Sequence, residues 1–513
     1  MTLPLSRRNF LGAAALTAFA PRLAFASNGG NSIVFVADYV LKAAPAPGSY
    51  DVQTENLYGN SEFLLRPTWN GPKPWLAESV SEMEPTRWRI TLKPGIKFQN
   101  GNALDAKALK ACIDYYKSDK ANQGNPGATL LGAPVSIDVS GDLSVDLVLA
   151  KPYPMLPFGC AHYAFPIFDA AMVAAAKGDY ASLVDKGIFT GPFKWKSIEA
   201  GKITYARNDL YWGGMPKLES VEIRQVPDEQ AGLQAIAAGE ADVLAYPALS
   251  LVLAAKALPN VHYEVTEGVG FIGLLPNNDI APFDDVRVRK AVSLAVDNDA
   301  LAAGVGMNIG TAMKGWFPSN HPLALDFIKH DVTEAEKLLD EAGWVKGADG
   351  LRSKDGKPLE ARFYCYTAIG EGISTASADM LSKIGFAATV RRFESYTEIP
   401  AVHSVDGGLY TVYTESLGLN ANPLGTLYAV FASTDYAGQA FTDIKDALDP
   451  VMSISDEAQI KAAMLKALQI NAEQYYWLPT IDDKSRFILS DRFKDVELTP
   501  FYLLVNEKTA PKA

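Results

Sequence analysis

Between Val221 and Leu244 the chain writes a strand, a capped helix and a second strand almost without linker, and no other stretch constrains the fold as much. Residues 221–226 read as a strand. Asp228 stands at an N-cap position, Leu233, Ile236 and Ala237 share one side of the helix that follows, and Gly239 closes it before Ala241-Asp242-Val243-Leu244 resumes as strand. Units of this kind belong to α/β sheets covered by helices. At 513 residues the chain is several times the common domain size, so two or more lobes with separate cores are expected.

The same change of period recurs along the chain. Residues 33–36 read as a buried strand, followed by a Pro/Gly-rich loop over 43–48. Trp88, Ile90 and Leu92 alternate, Pro94-Gly95 and Asn100-Gly101 turn, and Asp105 caps a helix from Ala106 to about Lys117, which together predict a hairpin feeding a helix. Val145, Leu147 and Leu149 alternate again before Pro152, Pro154 and Pro157, a cluster expected to stop any regular element. Gly191-Pro192-Phe193 opens a strand. In the turn-rich run 208–216, Tyr211 and Trp212 can pack down while the glycines permit positive φ.

Further on, Pro282-Phe283-Asp284-Asp285 precedes a helix with Val288, Ala291, Val292 and Ala295 on one stripe, and Arg287, Arg289 and Lys290 read as its solvated face. Thr333 and Glu336 form a capping box for a helix that Gly343 ends. Asp355-Gly356 turns a hairpin, a helical tract runs from Val451 to about Tyr475, and short strands follow near 487–489 and 501–505.

The N-terminus carries an address. Ser6-Arg7-Arg8-Asn9-Phe10-Leu11 leads an apolar run over 11–20 that is too short to span a bilayer, and Ala24-Phe25-Ala26 supplies the small-residue cleavage pattern. Residues 1–26 are therefore expected to be a twin-arginine signal peptide, with Ser27 first in an exported, periplasmic protein. No cysteine precedes Cys112, so no lipid-modified cysteine is expected, and no stable membrane insertion. The net charge of −12 argues against nucleic acid or an anionic membrane as partner, because both require clustered Lys and Arg.

Cys112, Cys160 and Cys365 lack the paired spacing of metal or redox sites. One bridge and one free thiol remain open in an oxidising compartment, with Cys112 read as a buried thiol on a stripe with Leu109, Ile113 and Tyr116. The five histidines, His162, His262, His321, His330 and His403, form no zinc motif, and the chain has no nucleophile elbow, phosphate loop or dinucleotide fingerprint. Asp297-Asn298-Asp299 lacks the glycine of a calcium loop and is read as a helix cap. No enzyme activity, metal or cofactor is expected, and a hydrolase built from carboxylates that the fold brings together is the alternative from another class.

Several segments resemble, in this order, the peptide/nickel class of solute-binding proteins of ABC importers, family 5. They are Pro74-Trp75-Leu76-Ala77-Glu78-Ser79, Leu92-Lys93-Pro94-Gly95-Ile96-Lys97-Phe98 with Asn100-Gly101, Thr190-Gly191-Pro192-Phe193, Arg207-Asn208, and Tyr211-Trp212-Gly213-Gly214. Ala237-Ala238-Gly239-Glu240-Ala241-Asp242 and the run from Pro282 to Ala291 complete the set. The resemblance implies an α/β, two-lobed clamshell of the periplasmic-binding-protein kind with an extra domain, mixed sheets flanked by helices and a two-segment hinge. Domain I would comprise 27–63, 187–267 and 479–513, domain II 64–186, and domain III 268–478. It further implies a monomer that captures a peptide or peptide-like solute by lobe closure and delivers it to the permease subunits of the transporter.

Peptide-binding members place an aspartate four residues before a proline in a third-domain loop; here Leu419 holds that position before Pro423, with Glu415 as a carboxylate nearby. Nickel-type members offer Trp, Arg and His, and this loop has no Trp or His. The candidate contacts are Tyr413, Glu415, Asn420 and Asn422 on the loop, with Tyr58, His162, Tyr163, Trp316 and Phe317 elsewhere. Each also has a plain structural reading: packing aromatics for the tyrosines, turn formers for the asparagines, a solvated charge for Glu415, a satisfied buried ring for His162, and a plug between lobes for Trp316 and Phe317. An opine-like conjugate or a nickel or other metal chelate is the alternative cargo.

Overall fold

The strand Ser32–Ala37 buries alternate residues on opposite faces, with Ile33 and Phe35 on one and Val34 and Val36 on the other. Such a strand belongs at the centre of a sheet covered on both sides. In the computed structural model it lies fourth of seven, in the spatial order Val261–Val265, Arg486–Ser490, Val243–Ala245, Ser32–Ala37, Ser220–Gln225, Lys202–Arg207, Phe193–Glu199. The structure describes residues 30–37, 40–47, 55–68, 71–118, 130–266, 270–319, 321–395, 398–414, 423–432, 441–493, 496–498 and 503–512. The twin-arginine segment lies outside them.

The strand–helix–strand unit forms as expected, with one addition. Ser220–Gln225 and Val243–Ala245 both run parallel to Ser32–Ala37, which inserts between them, and the helix Glu229–Ala237 is capped by Asp228 and followed by Gly239 at φ 75°. A four-stranded antiparallel sheet, in the order Ala77–Glu84, Arg87–Leu92, Ser144–Val148, Ser136–Gly141, shares one continuous core with the seven-stranded sheet. The helix Ala106–Lys117 packs into this core through Leu109, Cys112, Ile113 and Tyr116, with Asp105 accepting from the Ala108 amide at 2.9 Å. The expected hairpin before it shrinks to an isolated bridge between Lys97 and Ala103.

A second lobe surrounds a five-stranded mixed sheet in the order Ala387–Arg392, Glu360–Cys365, Leu409–Thr414, Gly270–Pro276, Leu478–Asp483. One face packs on the helices Val286–Ala295, Val332–Glu341 and Ala368–Lys383; the other meets an aromatic cluster that includes Trp316, Phe431 and Trp477. Asp297 caps the helix Asn298–Gly304, as read from the sequence.

Four local expectations are corrected. Arg289 is buried, because its guanidinium donates to the carbonyls of Gln474 at 2.8 Å, Phe283 at 2.7 Å and Asp284 at 3.2 Å. The helix Val332–Glu341 is capped by Asp331, whose carboxylate takes the Glu334 amide while its own amide is tied to Leu294. Pro157 lies in the first turn of a short helix, Leu156–Cys160, where its missing N–H costs nothing. The helical tract near 451 starts at Glu457, where Asp456 caps it. Cys112, Cys160 and Cys365 are buried free thiols.

Candidate ligand cleft and its hinge

The chain crosses between the two large sheets twice: from Val261–Val265 into Gly270–Pro276, and from Leu478–Asp483 into Arg486–Ser490. The crossovers touch where the Thr266 amide donates to the Ser485 carbonyl at 2.9 Å. Arg486 holds the second one, donating to Asp483 at 2.7 Å, to the Lys484 carbonyl at 3.0 Å and to the Pro247 carbonyl at 3.1 Å. Two passages of the chain between separate sheets are the connection that a hinge requires.

The two lobes also meet away from the hinge. Met155 is buried in the aromatic cluster of the second lobe, with Tyr153 and Phe158 packed against the same cluster. Nearby, Ser455 donates to the Glu82 carboxylate.

Tyr413 falls on the strand Leu409–Thr414, opposite Ile272. Glu415, Asn420 and Asn422 lie outside the described residues, and the chain resumes with the helix Pro423–Leu427. The remaining candidates fall into three separate clusters. Tyr58 is half-buried against Phe35 and Tyr205, at ring separations of 5.2 and 5.8 Å. His162 is buried and stacked on Tyr163 at 4.3 Å, and its Nδ1 accepts from the Ala164 amide at 3.1 Å. Burial pushes the His162 imidazole down to about 4, which keeps it neutral. Tyr163 packs with Phe63 and Ala164. Trp316 is 1% exposed, enclosed by Phe271, Phe431 and Trp477, so in this state its ring presents almost no surface to a solute. Phe317 stacks on His321 at 4.3 Å.

Two buried carboxyls were not read from the sequence. Glu55 accepts from Asn60 at 2.7 Å and Tyr205 at 3.1 Å; Glu62 accepts from Tyr211 at 2.7 Å and Trp212 at 2.9 Å. Burial pushes each up to about 7. The one hint for Glu62 is its place before the apolar run Phe63-Leu64-Leu65. Around it the motifs interlock: Asn208 donates to the Gly191 carbonyl at 3.0 Å, and Gln99 donates to the carbonyls of Asn60, Gly191 and Phe193 at 3.0, 3.2 and 2.7 Å. The Thr190-Gly191-Pro192-Phe193, Arg207-Asn208 and Tyr211-Trp212-Gly213-Gly214 segments thus include the residues that brace the first lobe. Among the described residues no three of His, Cys, Asp and Glu are grouped to hold a metal ion, and no helix is long and apolar enough to cross a membrane.

The model of the bacterial extracellular solute-binding proteins, family 5 (middle region), matches residues 71–438. The oligopeptide-binding protein AppA of Bacillus subtilis is 26% identical over 336 residues, which is 60% of this chain and 59% of that protein. The heme-binding protein A of Haemophilus influenzae is 30% identical over 181 residues, 34% of this chain and 33% of that one. The chain therefore aligns with less than two thirds of either relative's length. The crystal structure of NikA from Brucella suis in complex with Fe(III)-EDTA superposes with a TM-score of 0.81 at 23% identity, covering 94% of this chain and 100% of that one, and shows the same α/β clamshell fold. Over most of its length the chain matches one family model, and it belongs to family 5 of the bacterial extracellular solute-binding proteins.

Proposed function

We propose that this chain is the periplasmic substrate-binding component of an ABC importer, which captures a peptide or peptide-like small solute by closing two lobes and delivers it unchanged to the permease subunits. The observation that carries this reading is that the chain passes between the two large sheets, each with its own core, after Val261–Val265 and again after Leu478–Asp483. A receptor that must release its cargo needs open and closed states within a few kcal/mol of each other, with differential affinity for cargo shifting the balance. A hinge at these two passages supplies that.

In this reading the domain boundaries are those the resemblance implies, except the last: residues 32–37, 193–265 and 486–490 contribute the seven-stranded sheet and 270–483 the five-stranded one, so the strand Leu478–Asp483 goes with domain III and the boundary moves from 478 to about 483. Cargo sits between the lobes against the loop after Leu409–Thr414, with Glu415 facing a cationic amine and Asn420 and Asn422 meeting amides. Tyr413, Tyr58, His162, Tyr163, Trp316 and Phe317 are carried as lining residues. Residues 1–26 direct twin-arginine export, and the mature protein acts as a monomer.

Mass spectrometry of small molecules released on denaturing the exported protein tests the reading directly. A peptide-like compound recovered intact, which rebinds saturably, is expected; conversion of that compound on incubation would refute it. Glu415→Gln should weaken an amine-bearing ligand, and unchanged affinity removes that role. Replacing Arg7 and Arg8 by Lys should retain the precursor in the cytoplasm; continued export would show a different route.

A further inference from the structure

A crevice of about 500 Å³ opens beside the hinge, within the size range of small-molecule sites. Leu253, Lys256, Tyr263 and Val265 of the first lobe form one wall, and Met307 and Ile309 of the second lobe form another. Lys484, on the second crossover, also lines it. Its position sets it apart from the proposed cargo loop. Val261–Val265 is the edge of the seven-stranded sheet, three strands from Ser32–Ala37, and Leu478–Asp483, which pairs with Ala312 just after the second-lobe wall, is the edge of the five-stranded sheet, two strands from Leu409–Thr414. At about 4.8 Å per strand, these edge strands lie roughly 14 Å from Ser32–Ala37 and roughly 10 Å from Leu409–Thr414, the strand before the proposed cargo loop.

The chemistry of the lining is one-sided. Among the described residues that line it are two ammonium groups and no carboxylate. Lys256 lies over the Tyr263 ring, 5.2 Å from its centroid, and Lys484 is 3.8 Å from Asp482 Oδ2, while the other oxygen of that carboxylate accepts from the Thr311 amide. Two cations beside Leu253, Val265, Met307 and Ile309 complement an anion with an apolar body.

We propose that the hinge crevice is a second ligand site, for a monocarboxylate with an apolar tail, and that its occupancy shifts lobe closure. Because the walls belong to different lobes, rotation about the hinge changes their spacing, so a molecule fitting one spacing better must bias the balance. By linkage, cargo and carboxylate alter one another's affinity by the same factor.

Calorimetric titration of octanoate into the full mature protein without cargo tests the site, with octan-1-ol and octyltrimethylammonium as comparators. Saturable binding of octanoate is expected, weakened about tenfold or more for either comparator and for the Lys256→Gln/Lys484→Gln double variant, whose thermal unfolding should match the parent. No saturation with octanoate, equal binding of the three compounds, or an unchanged constant in a folded double variant would overturn it. Cargo affinity should then change about threefold or more when octanoate saturates the site, and an unchanged value overturns the coupling. The octanoate measurement needs no cargo, so a failure of the crevice and a failure of the importer reading are separately visible.

Discussion

Ser455 donates its hydroxyl to the carboxylate of Glu82, joining residues 373 positions apart and tying the four-stranded sheet to the start of the helix Glu457–Gln474. With Met155 seated in the second lobe's aromatic cluster, this contact holds the lobes together on the side of the four-stranded sheet. If closure forms these contacts, their loss favours the open state. Ser455→Ala should weaken cargo binding about two- to fivefold, as expected for one exposed hydrogen bond, and Met155→Ser about tenfold. Titration with the recovered cargo checks both, and parental affinity in both variants would mean the contacts persist in the open state.

Burial raises Glu55 and Glu62 from an ordinary 4.5 to about 7, so between those pH values the folded chain holds protons that the unfolded chain has released. Stability should therefore rise as pH falls from about 7.5 to 5.5, by an amount on the order of 1–3 kcal/mol per group. Glu55→Gln should flatten that rise. Thermal unfolding across the interval checks the sign, and a melting temperature that drops on acidification would rule the account out.

Arg289 and Lys290 are neighbours with opposite expectations. Arg289 satisfies three carbonyls inside the second lobe, so Arg289→Met should cost about 2–4 kcal/mol by leaving them without their donor. Lys290 is only partly buried, and Lys290→Ala should change stability by less than about 0.5 kcal/mol. Urea unfolding of the two variants side by side measures the contrast.

A Cβ on Gly191 would meet the Gly59 carbonyl oxygen at 2.2 Å and the Asn60 carbonyl oxygen at 2.6 Å, both backbone atoms. Gly191→Ala should therefore destabilise the first lobe by at least about 2 kcal/mol and loosen the Gln99 bonds to Asn60 and Phe193. Hydrogen exchange at residues 59–62 and 191–193 reports it, and parental protection there would contradict the close approach.

Much of the fold was legible where the signal is local. Asp105 caps the helix Ala106–Lys117 three residues from the amide it accepts, and the stripe of Leu109, Cys112, Ile113 and Tyr116 follows the helical period. Asp355 and Gly356 turn the hairpin between Arg352–Lys354 and Lys357–Pro358 with φ of 51° and 74°. The site was less legible. Trp316 and Phe317 carried no sign of their surroundings, because Phe271, Phe431 and Trp477 come from segments far apart in the chain.

By itself the sequence determined the α/β class, the helix starts at Ala106, Glu229, Val286 and Asn298, and the family, through short-range patterns whose partners lie within a few residues. Only the tertiary structure decided that Arg289 is buried and that Glu62 lies beneath Tyr211 and Trp212, although both positions read as ordinary charge in the chain. It also decided that the motif segments brace the first lobe. The reason is physical: a charged side chain is hydrated by default, and it enters a core only where distant segments supply enough donors or acceptors to replace water.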